Sequence, residues 1–215
     1  MALVFGIIDY GLGNLHSVAN ALHYLGYEAL VTGEIGRLLE ADALILPGVG
    51  AFADGMKNLE ERGLVKPLTK AVVQGRKPFL GICLGMQLVA RDSTEGGLHK
   101  GLGWLPGNVR RLSVPRELRL PHIGWNSLGI KLESPLFSGL GKDLNFYFVH
   151  SFHFISGEPE IVSATCSYGQ DFAAAVQKDN IFAVQFHPEK SHKNGLHLLS
   201  NFADYVKGQK GGSNA

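Results

Sequence analysis

Short apolar runs recur along the chain at residues 3–8, 43–46, 78–82, 146–149, 161–164, 173–176 and 181–186. Each is the length of a buried strand. Helical periodicity intervenes at about residues 14–25, 55–74 and 84–90, and again at 192–206. Strand-helix alternation through the first half predicts an α/β fold, a parallel sheet with helices on both faces. Residues 96–140 carry many Gly and Pro and few periodic stretches, which predicts loops and short antiparallel strands. Residues 207–215 (KGQKGGSNA) lack apolar anchors, so one domain over residues 1–207 and a frayed tail over 208–215 are expected. No repeat and no low-complexity linker interrupts it.

With 215 residues, 45% of them hydrophobic, one domain with a substantial core is the economical reading. The 20 Lys and Arg against 19 Asp and Glu leave a net charge of +1, which supplies no electrostatic reason for a nucleic-acid or membrane partner. The opening run is too short for a signal core and passes straight into Asp9. No stretch reaches transmembrane length. A cytoplasmic chain is expected, with its two cysteines, Cys83 and Cys166, reduced.

Candidate chemistry concentrates in two segments. Gly81-Ile82-Cys83-Leu84-Gly85 joins the apolar Pro78-Phe79-Leu80 to a helical stretch, so Cys83 stands on a strand-to-helix turn. This is the context of a nucleophile elbow, with glycines letting strand and helix approach closely. The positive end of the helix dipole favours the thiolate. The second segment, Gln185-Phe186-His187-Pro188-Glu189, ends an apolar strand. It delivers His187 as a base, with Glu189 two positions on to orient the imidazole. Cys83, His187 and Glu189 thus form a candidate triad for acyl transfer.

A cysteine is often simply buried core, but the flanking glycines and elbow context argue otherwise for Cys83. Cys166 lacks that context and reads as packing. His16, His23 and His197 fall in helical patterns, whereas His122 and His150 are harder to dismiss. Zinc would call for a paired short spacing, which is missing, so no metal is expected. Pro47-Gly48-Val49-Gly50-Ala51-Phe52 follows a strand and would pass for a plain turn. In an acyl-transfer site, however, such a loop supplies a backbone N–H of Val49 or Gly50 to the oxyanion, alongside that of Leu84. Asp9-Tyr10-Gly11-Leu12-Gly13-Asn14-Leu15-His16 offers half a dinucleotide fingerprint, but His16 stands where the third glycine belongs, and NAD is rejected.

The pair G-I-C-L-G-M-Q and Q-F-H-P-E is similar to the class I (triad) glutamine amidotransferases. Further segments resemble the glutaminase subunits of imidazole glycerol phosphate synthases: Asp9 to Asn14, Pro47 to Phe52, Pro121-His122-Ile123-Gly124-Trp125-Asn126, Tyr147-Phe148-Val149-His150-Ser151, and Phe186 to Ser191. The resemblance implies a flavodoxin-like, mostly parallel sheet with a nucleophile elbow. It implies Cys83 as nucleophile, His187 as base and acid, and Glu189 as orienting carboxylate. Gly48, Gly50, Gln87, Glu95, Ser151 and Phe152 would hold L-glutamine. Phe152 stands where relatives commonly have Tyr, which puts any hydroxyl contact there in doubt. Asn14, Trp125 and Lys190 would meet a partner, a (β/α)8-barrel cyclase of histidine biosynthesis, in a heterodimer. Trp125 would otherwise be a core anchor, the commoner fate of tryptophan. Ammonia would be channelled to that partner, and no cofactor is called for. Rotation of the peptide within Gly48-Val49-Gly50 is expected to gate the reaction allosterically. The alternatives are a paralogous subunit feeding another synthase, as in surface-sugar amidation, and a stand-alone cysteine hydrolase.

Overall fold

The computed structural model describes residues 3–212. Strands β1 (Val4–Ile8), β2 (Glu28–Thr32), β3 (Ala43–Gly48) and β4 (Phe79–Cys83) alternate with helices α1 (Leu15–Tyr24), α2 (Ile35–Glu40), α3 (Phe52–Glu61) and α4 (Val65–Thr69). Helix α5 (Leu84–Leu88) follows β4 without a loop. The second half adds β5 (Asp92–Ser93), β6 (His99–Lys100), β7 (Gly107–Arg111), β8 (His122–Ile130), β9 (Asn145–His150), β10 (Phe152–Ser156), β11 (Val162–Tyr168), β12 (Gln170–Lys178), β13 (Ile181–Val184) and the closing helix α6 (His192–Gly212).

The main sheet runs β2-β1-β3-β4-β13-β12-β11-β8-β9. Its first five strands are parallel, and β12, β11, β8 and β9 extend it by antiparallel pairing. A small second sheet, β10-β7-β5-β6, lies beside it. Alternation along the central strands sends side chains to two separate cores. Phe5, Ile7, Ile45, Leu80, Ile82, Phe182 and Val184 join one, with Val18 and Leu22 of α1 and Leu198, Leu199 and Phe202 of α6. Ile8, Leu44, Leu46, Phe79 and Ala183 join the other, with Phe52, Met56 and Leu59 of α3 and Met86 and Leu88 of α5. A strand buried on both faces reads as a continuous apolar run, which is why these strands stood out in the sequence.

Three expectations need amending. The periodic stretch 55–74 is two helices: α3 starts at Phe52, and the chain turns at Gly63 (φ 66°) before α4 and a π-helical turn, Lys70–Gln74. β2 and α2 carried no apolar signal because β2 is a half-buried edge strand with only Thr32 fully buried, and α2 is a six-residue helix with only Leu38 buried. The tail expected to fray from residue 208 stays helical through Gly212. Polar side chains fasten it where apolar anchors are missing: Lys207 Nζ donates to Asp204 and to the Tyr27 hydroxyl, and Lys210 pairs with Asp42. Residues 213–215 lie outside the described residues.

Candidate active site

Strand order around β1 places the topological switch point between β1 and β3, where α/β folds open a crevice beyond the carboxyl ends of the strands. Cys83 ends β4, one strand beyond β3, paired in register with Gly48 at the end of β3. Its backbone has φ 54° and ψ −106°, a conformation non-glycine residues rarely adopt and one that costs of order 1–3 kcal/mol. The neighbouring glycines are required sterically. A Cβ on Gly85 would stand 1.8 Å from the Leu46 carbonyl oxygen, and one on Gly81 would stand 2.8 Å from that of Gly85.

His187 follows β13, which pairs in parallel with β4. Its peptide N–H donates to the Tyr147 carbonyl at 2.9 Å. Ser191 Oγ donates to the His187 carbonyl at 2.6 Å and accepts from the Tyr147 N–H at 3.0 Å, clamping this turn onto β9. Glu189 sits in the 3-10 turn Pro188–Lys190. His187 Nδ1 donates to Glu189 Oε1 at 2.8 Å, with both side chains 2% exposed. That bond leaves the buried Nε2 as the second ring nitrogen, without a hydrogen-bond partner among the described residues. Burial works against the imidazolium, but Cys83 and the Glu189 carboxylate outweigh it and raise His187 from 6.5 to about 10.

Cys83 opens onto a cavity of about 290 Å³. Eight residues singled out from sequence line it: Val49, Gly50, Cys83, Leu84, Gln87, Glu95, Ser151 and Phe152. Gly48 lies just beneath, and a Cβ there would stand 2.2 Å from the Tyr10 hydroxyl. Gly50 has φ 109°, so the loop after β3 uses a backbone shape reserved for glycine. Glu95 Oε2 accepts from the Phe52 N–H at 2.8 Å, at the first turn of α3. Gln87 Nε2 donates to the Phe152 carbonyl at 2.9 Å and to Gln185 Oε1 at 3.2 Å. Phe152 therefore acts here through its backbone, so the missing tyrosine hydroxyl leaves this contact intact.

Several residues at the site escaped the sequence reading as individuals. Gln185 Nε2 donates toward Cys83 Sγ at 3.7 Å, and the thiol points at the Val149 carbonyl at 3.8 Å. Gln185 had a signal: it is the one amide inside the apolar run 181–186, and it is fully buried. Pro121 and Val149 also line the cavity, as does His150, which the sequence had left open. Ser191 was visible only as part of its motif.

The three residues assigned to a partner face divide. Trp125 is 48% exposed, so the core-anchor alternative fails. Its ring stacks on His192 at 5.0 Å and meets Tyr147 edge-on, while Lys190 Nζ lies 5.9 Å from the centre of the Tyr147 ring. These four side chains make one patch. Asn14 is half-buried at the start of α1, where its side chain makes no capping bond. Cys166 is buried, and burial raises its thiol to about 12, as befits packing. His16, His23 and His197 are exposed. Among the described residues, no group of three or more His, Cys, Asp or Glu is placed to hold a metal ion, and no helix is long and apolar enough to cross a membrane.

A thiol on an elbow, a histidine fixed by a buried carboxylate, and a cavity open to the sulfur are what amide hydrolysis through a thioester needs. Comparison with known proteins narrows this. The family described as "Glutamine amidotransferase class-I" matches residues 6–205. The chain belongs to the class I glutamine amidotransferases. It is 49% identical over 203 residues to the imidazole glycerol phosphate synthase subunit HisH of Geobacter sulfurreducens, covering 92% of this chain and 97% of that one. It is 51% identical over 205 residues to the subunit HisH 2 of Vibrio vulnificus, covering 95% of each. Among solved structures, PurLQS from Thermotoga maritima superposes with a TM-score of 0.76 at 19% identity, over 96% of this chain and 100% of that one. At that identity the likeness speaks for the shared α/β fold of this family.

Proposed function

We propose that the chain is the glutaminase subunit of an imidazole glycerol phosphate synthase, acting in the cytoplasm in histidine biosynthesis. The observation that carries this reading is the Cys83 elbow beside the buried His187–Glu189 pair, in a chain about half identical to subunits of that synthase. L-glutamine enters the cavity with its side-chain amide toward Cys83. Glu95 offers a carboxylate to the substrate's ammonium group, and Gln87 with the 151–152 backbone holds the rest of the head group. The thiol proton rests on His187, which Cys83 and Glu189 keep protonated, and the sulfur attacks the amide carbon. Backbone N–H groups of Leu84 and of the Val49-Gly50 loop stabilise the oxyanion. The C–N bond breaks as His187 protonates the leaving nitrogen, so ammonia departs and a γ-glutamyl thioester remains. Water, deprotonated by His187, then breaks the C–S bond to give glutamate and free Cys83. Glu189 holds the ring through Nδ1 so that Nε2 serves both transfers.

Ammonia released into water would protonate and cease to be a nucleophile, so the product passes directly to a (β/α)8 cyclase bound at the Trp125, Tyr147, Lys190 and His192 patch. Trp is enriched at the energetic centres of interfaces, in keeping with its exposure here. The loaded partner activates the subunit by turning the peptide within Gly48-Val49-Gly50, which glycines make inexpensive to rotate.

The test is Cys83→Ala in the assembled complex. Glutamine-dependent synthesis should fall to background while synthesis from added ammonium salt stays near wild type. Parallel loss of both activities in a folded complex would refute the division of labour. An unmutated complex that makes product from ammonium salt but none from glutamine would refute the glutaminase reading.

A further inference from the structure

His150 lines the cavity and His122 is buried beside it, and the proposed reaction uses neither. Register across β8 and β9 puts them directly opposite each other. His122 Nδ1 lies 3.0 Å from His150 Nε2, and His150 Nδ1 lies 2.9 Å from the Phe152 carbonyl oxygen. The His122 ring is sandwiched by Tyr168 at 4.1 Å and Phe148 at 5.0 Å, so it cannot turn freely.

Hydrogen placement follows from either end of this chain of contacts. A carbonyl only accepts, so His150 Nδ1 carries the proton. In a neutral ring its Nε2 then accepts, and His122 Nδ1 must donate to it. His122 Nε2 is left as an acceptor. From the other end, Asn126 Oδ1 accepts from the Ser127 N–H at 2.8 Å, which turns Nδ2 toward the Ser167 carbonyl at 2.9 Å and His122 Nε2 at 3.4 Å. That again makes His122 Nε2 the acceptor. Both ends give one direction of donation: Asn126 to His122 to His150 to the Phe152 carbonyl. An added proton on either ring would set N–H against N–H. Burial keeps both rings neutral, holding His122 down to about 4 and His150 to about 3.

The relay ends where the substrate is expected. The Phe152 carbonyl accepts from His150 and from Gln87 Nε2, which occupies both of its lone pairs. Gln87 Nε2 spends its other hydrogen on Gln185 Oε1. The Gln87 amide is thereby fixed with Oε1, its one polar atom making no such bond among the described residues, available to a molecule in the cavity.

We propose that His122 and His150 are positioning residues for the amide substrate: their directed relay holds the Phe152 carbonyl and through it orients Gln87 to receive an N–H of glutamine. This rests on the glutaminase reading for the identity of the substrate, while the relay rests on the geometry alone.

Two measurements on the full chain test it. Long-range ¹H–¹⁵N correlation of the histidine rings at neutral pH should show His122 and His150 both as the Nδ1–H tautomer. An Nε2–H tautomer at either ring overturns the relay. The second measurement is steady-state glutamine hydrolysis by the assembled complex. His150→Leu removes the donor to Phe152 and should raise KM for glutamine about tenfold or more while kcat stays within about threefold. His150→Asn sets an N–H where Nδ1 stands and should restore most of the affinity. His122→Phe keeps the stacked ring without its hydrogen bonds and should fall between them, and it carries the KM test if His150→Leu fails to fold. Equal KM values for His150→Leu and His150→Asn, or a loss confined to kcat, would sink the positioning role. A wild-type complex that hydrolyses no glutamine refutes the glutaminase reading instead, and the tautomers then decide the relay.

Discussion

Cys83 and Phe152 line the same cavity, and they are held there by different means. Around Cys83 the backbone does the work. The elbow's positive φ, the absence of side chains at Gly81 and Gly85, and the parallel pairing of β3, β4 and β13 leave the sulfur little choice of position. Around Phe152 the work falls to side chains from the antiparallel extension and from α5. His150 and Gln87 converge on its carbonyl, with His122 behind His150, and no steric necessity fixes it. The first wall should break all at once when one atom is added. The second should weaken in steps as hydrogen bonds are removed.

The largest effect expected from that contrast is at Gly85. Gly85→Ala would put a methyl 1.8 Å from the Leu46 carbonyl oxygen, which belongs to the rigid β3 backbone. Overpacking of this kind costs roughly 1–3 kcal/mol and sometimes more, and here the relief must come from moving the elbow. We expect glutamine hydrolysis to fall to background, with a stability loss of about 3 kcal/mol or more in urea unfolding. A variant that folds with normal stability and turns over within tenfold of wild type would show that the elbow is softer than its sterics imply.

Glu189→Gln comes next and acts on protonation rather than shape. An amide can present N–H to His187 Nδ1 and favour the wrong tautomer, so kcat should drop roughly 100- to 10,000-fold with KM for glutamine little changed. The same variant has a signature in stability. Folded His187 keeps its proton up to about pH 10, whereas an ordinary histidine releases it near 6.5. A raised folded value contributes stability that is complete below about pH 6.5 and lost as pH climbs through about 10. Removing the Glu189 charge lowers the folded value, so the variant should lose less stability across that window than wild type does. Urea midpoints at several pH values would check this, and identical slopes for the two proteins would contradict it.

The two walls also differ in how far the sequence exposed them. The elbow, the His187–Glu189 pair and the loop could be located because steric need writes itself into short motifs: two glycines flanking Cys83, a proline after His187, a carboxylate two places on. The parallel strands showed as continuous apolar runs for the same kind of reason, burial on both faces. What the sequence withheld depends on register between distant strands. His122 and His150 are 28 positions apart, and only the pairing of β8 with β9 makes them neighbours. Gln185 reaches Cys83 because β13 lies next to β4, although the two are far apart in the chain. The helical tail eluded the reading because Lys207 and Lys210 fasten it with polar contacts to Tyr27 and Asp42, and apolar periodicity is blind to those.

The smallest effect should come from Phe152→Tyr, and its smallness is the point. If the wall at Phe152 worked through the side chain, adding a ring hydroxyl there would change glutamine binding substantially. In the structure both hydrogen bonds at this residue end on its carbonyl, and the ring packs at the border of the α3–α5 core. The ring is only partly buried, so an added hydroxyl can find water and need not be desolvated without a partner. KM for glutamine and kcat should therefore each change by less than about threefold, below the roughly tenfold that one useful hydrogen bond is worth. A tenfold or greater fall in KM would mean that the hydroxyl makes a substrate contact of its own and that Phe152 has weakened this site. No change in Phe152→Tyr beside a large loss in His150→Leu would place the selectivity of this wall in its backbone and in the histidines that hold it.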